Sequence, residues 1–109
     1  MSNALAWTML VASGLIDVAW AIATKKADGF RNPEWTIVSL VLLAAFVVLL
    51  TKALSTLPLG VAYTAWVGIG AVGTIAAGIL LFGEPLQPAR LAFAGLVVIG
   101  VIGLKVAST

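Results

Sequence analysis

The sequence predicts an all-α integral membrane protein of four transmembrane helices, and three features of the chain carry that prediction. Of its 109 residues, 62% are hydrophobic and only 9% are charged; soluble domains run near roughly a quarter charged. The apolar residues gather in four long runs, while charges and turn formers gather between them. A soluble chain of this length would have to hide more apolar surface than one interior can hold, so the bilayer is the simpler solvent.

The first run, Ala4–Thr24, is closed by Lys25 and Lys26. The segment Lys25–Glu34 (KKADGFRNPE) combines Gly, Pro and five charges and reads as a loop. The second run, Trp35–Thr51, ends at Lys52, and a short link, Ser55–Pro58, leads to the third, Leu59–Phe82. Gly83, Glu84, Pro85 and Pro88 break the pattern before the fourth, Leu91–Leu104, bracketed by Arg90 and Lys105. That last run is short for a span of about 20 residues, but both flanking side chains can snorkel and lengthen it. Backbone groups in lipid must bond internally, so each run reads as a helix despite the β-branched content of the second. The prediction is one domain, residues 1–109, with helices over about 4–24, 35–54, 58–82 and 89–106. Short links make successive helices antiparallel and adjacent, with both termini on one side. Lys25, Lys26, Arg31 and Arg90 on one face stand against Lys52, Lys105 and the amino terminus on the other. So even a charge balance barely biases orientation, and insertion in both directions is expected.

Composition also narrows the function classes. Cysteine and histidine are absent, which removes disulfides, thiolate metal sites, the commonest metal ligand and the usual general base. No metal or cofactor is expected, and no nucleophile, base and orienter set supports enzyme chemistry. The net charge of +2 comes from six basic residues at the ends of apolar runs, not from a patch suited to nucleic acid. The first run has no basic segment before it and is long enough to span, so it reads as a helix and not as a leader.

Asp17 is the informative residue. Every other charge lies in a loop or at a helix end, whereas Asp17 falls about two thirds of the way through the first run. A carboxylate there costs at least ~2.5 kcal/mol on insertion scales, and intramembrane acids mark ion or proton pathways. Residues three, four and seven away are Leu10, Ser13, Gly14, Trp20, Ala21 and Thr24. Ser13, Asp17, Trp20 and Thr24 therefore form a polar and amphipathic stripe with small neighbours. An indole one turn from a buried acid suits a cation, adding the attraction of an aromatic face to the charge. The alternative for Trp20 is an interfacial belt, a role that Trp7 and Trp35 fit better because they lie near run ends. In the third run Tyr63 and Trp66 lie on one face with Gly70 and Thr74, as a second aromatic wall or as packing residues.

Gly68, Gly70 and Gly73 match G-x-G-x-x-G, but no strand precedes them, so they are no dinucleotide fingerprint. In a membrane helix they permit close approach or a kink. Gly95, Gly100 and Gly103 in the fourth run suggest a contact between subunits. A second copy would bring two Asp17 carboxylates together at mid-membrane, where they would titrate as a coupled pair. Such a pair holds protons or a cation but not both fully, which is the minimum for exchanging one for the other.

On these residues the chain resembles the small multidrug resistance family, most closely its guanidinium-exporter branch. The resemblance spans essentially the whole chain. It is carried by GLIDVAWAIATKKADGF (Gly14–Phe30), LPLGVAYTAWVGIGAVG (Leu57–Gly73), GEPL (Gly83–Leu86) and GVIGLK (Gly100–Lys105). Trp20, one turn after the acid, is the feature that looks like the guanidinium branch. The resemblance implies an antiparallel, dual-topology homodimer in the bacterial cytoplasmic membrane that exports a small cation in exchange for protons. By the same resemblance Asp17 would bind substrate and proton, and Gly14, Trp20, Tyr63 and Trp66 would line the site. The chain departs from the family in two places. The acid is ordinarily glutamate where this chain has Asp17, and a serine in the second helix commonly stands where this chain has Phe46. Phe46 is expected to face the site. The expected partners are a small cation, protons, lipid and a second copy or a paralogous subunit. An exporter of larger lipophilic or quaternary ammonium cations is the alternative. A passive channel needs no acid at mid-membrane, and a non-transporting subunit would work without one.

Overall fold

The structure, a computed structural model, describes residues 2–107. It contains four helices: α1 (Asn3–Lys26), α2 (Pro33–Leu54), α3 (Leu59–Phe82) and α4 (Pro88–Ala107). All four are long and apolar enough to cross a membrane. At about 1.5 Å per residue, even the 20 residues of α4 match a hydrocarbon core about 30 Å thick.

Local chemistry sets the ends. The Ser2 hydroxyl accepts from the Leu5 N–H and opens α1. The expected loop, Lys25–Glu34, shrinks to residues 27–32 because its two edges are helical. Lys25 and Lys26 form the last turn of α1, where cations complement the carbonyl end of the helix. Pro33 opens α2, a position that needs no N–H, behind Asn32, whose side chain accepts from the Glu34 and Trp35 amides. Between them Asp28, Gly29 and Phe30 all take left-handed backbone, which reverses the chain within a few residues. Gly83 closes α3 in the same conformation, and the Glu84 N–H returns to the Gly78 carbonyl at 3.1 Å. Pro88 begins α4.

Helix α1 lies between α2 and α3 and packs against both, while α4 packs chiefly on α3. Successive helices are therefore not all neighbours, contrary to the sequence expectation: α2 and α3 barely touch. Their common contact is the small-residue face of α1. Ala6, Trp7 and Leu10 of α1 pack with Ala53 and Leu57 around the α2–α3 turn and with Ala62 and Ala65 of α3. That turn folds over the start of α1, which is why Trp7 is buried and not an interfacial belt residue. Trp35 does sit at a helix end, with the Lys26 ammonium 4.7 Å from its ring.

Gly68 takes the Val97 and Val101 side chains of α4, and Lys105 near the end of α4 reaches the Trp7 ring of α1, its ammonium 5.7 Å from the ring centre. Among the described residues of α4 none is buried. The protomer measures 43 × 34 × 16 Å. Its thin dimension is little more than one helix diameter of about 10 Å, so the helices form a slab and not a closed bundle.

Candidate functional site

Asp17 lies on α1 where it faces α3, and glycines make that approach possible. A methyl group on Gly70 would stand 2.5 Å from the Asp17 carboxylate, so the glycine lets the acid lie against α3 without either group shifting. Gly14 receives Ile69 one turn before, and Gly73 receives Val18 one residue after the acid. Of the expected close-approach glycines, Gly70 and Gly73 thus serve the α1–α3 seam and Gly68 the α3–α4 seam, and α3 runs as one unbroken helix. Asp17 is partly buried, and none of the described side chains or amides donates a hydrogen bond to it. It is a charge-bearing group with open acceptors, deep in an apolar helix.

Four aromatic rings from three helices form an unbroken chain. Trp20 of α1 meets Phe46 of α2 edge-on at 5.7 Å. Phe46 meets Trp66 of α3 at 5.6 Å, and Trp66 meets Tyr63 at 5.7 Å. Phe46 is 6% exposed, so its ring is turned inward between the two indoles and not outward to lipid. Tyr63, by contrast, is 51% exposed at the open end of the chain. Such contacts hold rings in fixed mutual orientation, and their faces attract cations.

A hydrogen-bond relay ties the same three helices together. The Trp66 indole N–H donates to the Ser13 hydroxyl at 3.1 Å, and Ser13 donates to the Phe46 carbonyl at 2.8 Å. Further along, Thr24 donates to the Trp20 carbonyl, and its oxygen lies 2.8 Å from the Ser39 hydroxyl. Thr24 has one hydrogen, so Ser39 is the donor of that contact. Ser39 was not among the expected site residues. Its signal was there: it lies two helical turns from Phe46, the one hydroxyl away from the ends of an apolar run.

At the loop end of the α1–α3 seam, Lys25 pairs with Glu84 at 3.8 Å and lies 4.9 Å from the Phe82 ring. The Glu84 carboxylate folds against Gly78. Gly95, Gly100 and Gly103 face no neighbour within the protomer, since a side chain at any of them would meet open space. The structure thus brings Ser13, Gly14, Asp17, Trp20, Phe46, Tyr63, Trp66, Gly70 and Gly73 to one region and leaves the α4 glycines outside it.

Four helices long and apolar enough to span, one of them carrying an intramembrane carboxylate, define a polytopic membrane protein. Residues 5–99 match the sequence model of the Small Multidrug Resistance protein family. A guanidinium exporter of Yersinia pseudotuberculosis is 49% identical over 104 residues, which cover 95% of this chain and all of that protein. Guanidinium exporters of Citrobacter freundii and Salmonella typhimurium are 43% identical over 95% of this chain and 99% of their own length. The chain belongs to the Small Multidrug Resistance family and is a multi-pass protein of the bacterial cell membrane.

Proposed function

We propose that two copies of this chain, inserted in opposite orientations, form an antiporter that exports guanidinium or small guanidinyl cations in exchange for protons. The observation that carries this reading is the setting of Asp17, an acid deep in α1 that meets Gly70 of α3, on helices that also carry the aromatic chain. A guanidinium ion is planar, always charged at neutral pH, and donates in pairs to a carboxylate. Asp17 supplies the two oxygens, and the indoles of Trp20 and Trp66 supply flat faces against which the cation can stack. The names of the relatives support the same substrate class. Translocation, not bond chemistry, is the activity in this reading.

Proton exchange follows from having one carboxylate for two ligands. When Asp17 carries a proton it has lost the charge that holds the cation, so the two occupy it in turn. Within one protomer Asp17 is only partly buried. A second copy supplies the opposite wall and a second Asp17, and the exposed face of α4 with its three open glycines suits that contact.

The deciding experiment uses proteoliposomes with an imposed pH gradient. Uptake of guanidinium, a guanidinyl metabolite and a quaternary ammonium ion is compared side by side. Gradient-driven guanidinium uptake is expected. Preference for the quaternary ion would assign the protein to multidrug-type export, and uptake indifferent to the pH gradient would exclude proton coupling.

A further inference from the structure

Ser13 was expected to line the cation site, but its bonding gives it a different part. It is completely buried, at 0% exposure. An indole nitrogen can only donate, so Ser13 accepts from Trp66, and its single hydrogen is committed to the Phe46 carbonyl. No hydrogen remains for Asp17, and burial keeps the oxygen out of reach of a cation. What the hydroxyl does hold is Trp66. The indole rests beside Gly14, where an added methyl would lie 3.8 Å from its Cδ1, and its N–H is tied to Ser13 on the same turn of α1. The other face of the arrangement is Phe46, which meets Trp66 by its ring and, through Ser13, by its carbonyl. The turn of α1 that precedes Asp17 therefore holds the indole that lies one turn of α3 before Gly70, the residue that meets Asp17.

We infer that Ser13 is a positioning residue: by holding Trp66 it fixes the aromatic wall one turn from the Gly70–Asp17 contact and so favours a flat cation over a bulky one. A planar guanidinium needs a wall held parallel at van der Waals distance, whereas a rounded ammonium needs space. With Ser13 removed, the indole can turn about its side-chain bonds, and the discrimination falls while the carboxylate still binds cations. The inference rests on the proposed guanidinium export for its substrate, but the link from Ser13 to Trp66 can be read without transport.

The test combines two measurements on the full chain in lipid. In tryptophan-labelled protein the Trp66 indole N–H resonance is assigned by its disappearance in Trp66→Phe. Ser13→Ala is expected to shift that resonance and speed its exchange with solvent, leaving the other indoles in place. In transport, Ser13→Ala is expected to raise the KM for guanidinium about five- to tenfold, the scale of one lost hydrogen bond, with little change for tetraethylammonium. Trp66→Phe, which keeps a ring but has no N–H, should make Ser13→Ala silent when the two are combined. An unmoved indole resonance, an equal loss for both cations or additive effects in the double variant would each overturn the inference. If the parent fails to carry guanidinium, the export reading falls, and the indole resonance still decides whether Ser13 holds Trp66.

Discussion

At the scale of single residues, function is concentrated where a charged group and a flexible-sized space coincide. Asp17 is the only carboxylate away from a helix end or loop, and it accepts no hydrogen bond from the described residues around it. An amide in its place removes both the charge and the titrating proton while keeping the volume. Asp17→Asn is therefore expected to abolish proton-driven transport while the protein stays folded, as judged by its elution in detergent; proton-driven uptake retained by that variant would refute the site. The same logic fixes the sign of the pH dependence. A cation binds the ionised carboxylate and a proton displaces it, so binding is full at high pH and is lost as pH falls through the titration of Asp17. With one competing proton, apparent affinity drops about tenfold per pH unit on the acid side, and a profile flat through the acidic range would count against competition. Phe46 bears on the third outcome. Its ring fills the space between Trp20 and Trp66, so Phe46→Ser is expected to admit bulkier cations severalfold better relative to guanidinium, measured on a substrate panel beside the parent.

At the scale of helices, the α1–α3 seam decides what Asp17 can reach. Because an added methyl at Gly70 would meet the carboxylate at 2.5 Å, Gly70→Val must push α3 away or turn the acid aside. Overpacking of this kind typically costs about 1–3 kcal/mol, and it is expected to lower the melting temperature and guanidinium transport together. The helices themselves were legible in the sequence, since apolar runs long enough to span admit one backbone solution in lipid. Asp17 was legible for a related reason: a lone charge in such a run is costly and has to be explained. What the runs concealed was which helix lies in the middle. Periodicity says that α1 has a face of small and polar residues, but not that it receives α2 and α3 at once, and so α2 and α3 were expected to be neighbours. Trp7 went astray with them. Its place near a run end suggests the interface, whereas the α2–α3 turn, distant in sequence, folds over it. Hydroxyl partners across helices, such as Ser13 with Trp66, depend on that same long-range arrangement and left no local mark.

At the scale of the whole molecule, the dominant fact is thinness. A slab 16 Å deep has one helix layer over most of its area, and α4 hangs on α3 by the Gly68 seam with no buried residue of its own among those described. Stability in such a slab comes from close backbone approach and a few polar ties more than from expulsion of water, because lipid tails are as apolar as the side chains they touch. The open flank of Asp17 has a consequence for how the protein behaves when it is scarce. A solitary protomer turns that flank to hydrocarbon, where no water delivers protons and no second wall holds a cation, so it carries nothing and leaks nothing. Competence would then arise from encounter: at low protein-to-lipid ratio, guanidinium flux is expected to grow with the square of protein density and to become linear once pairing saturates. Linear flux across the whole dilution series would mean that one slab suffices. Quadratic onset would make dilution an off-switch, so that a membrane holding few copies stays tight to protons until synthesis raises their number.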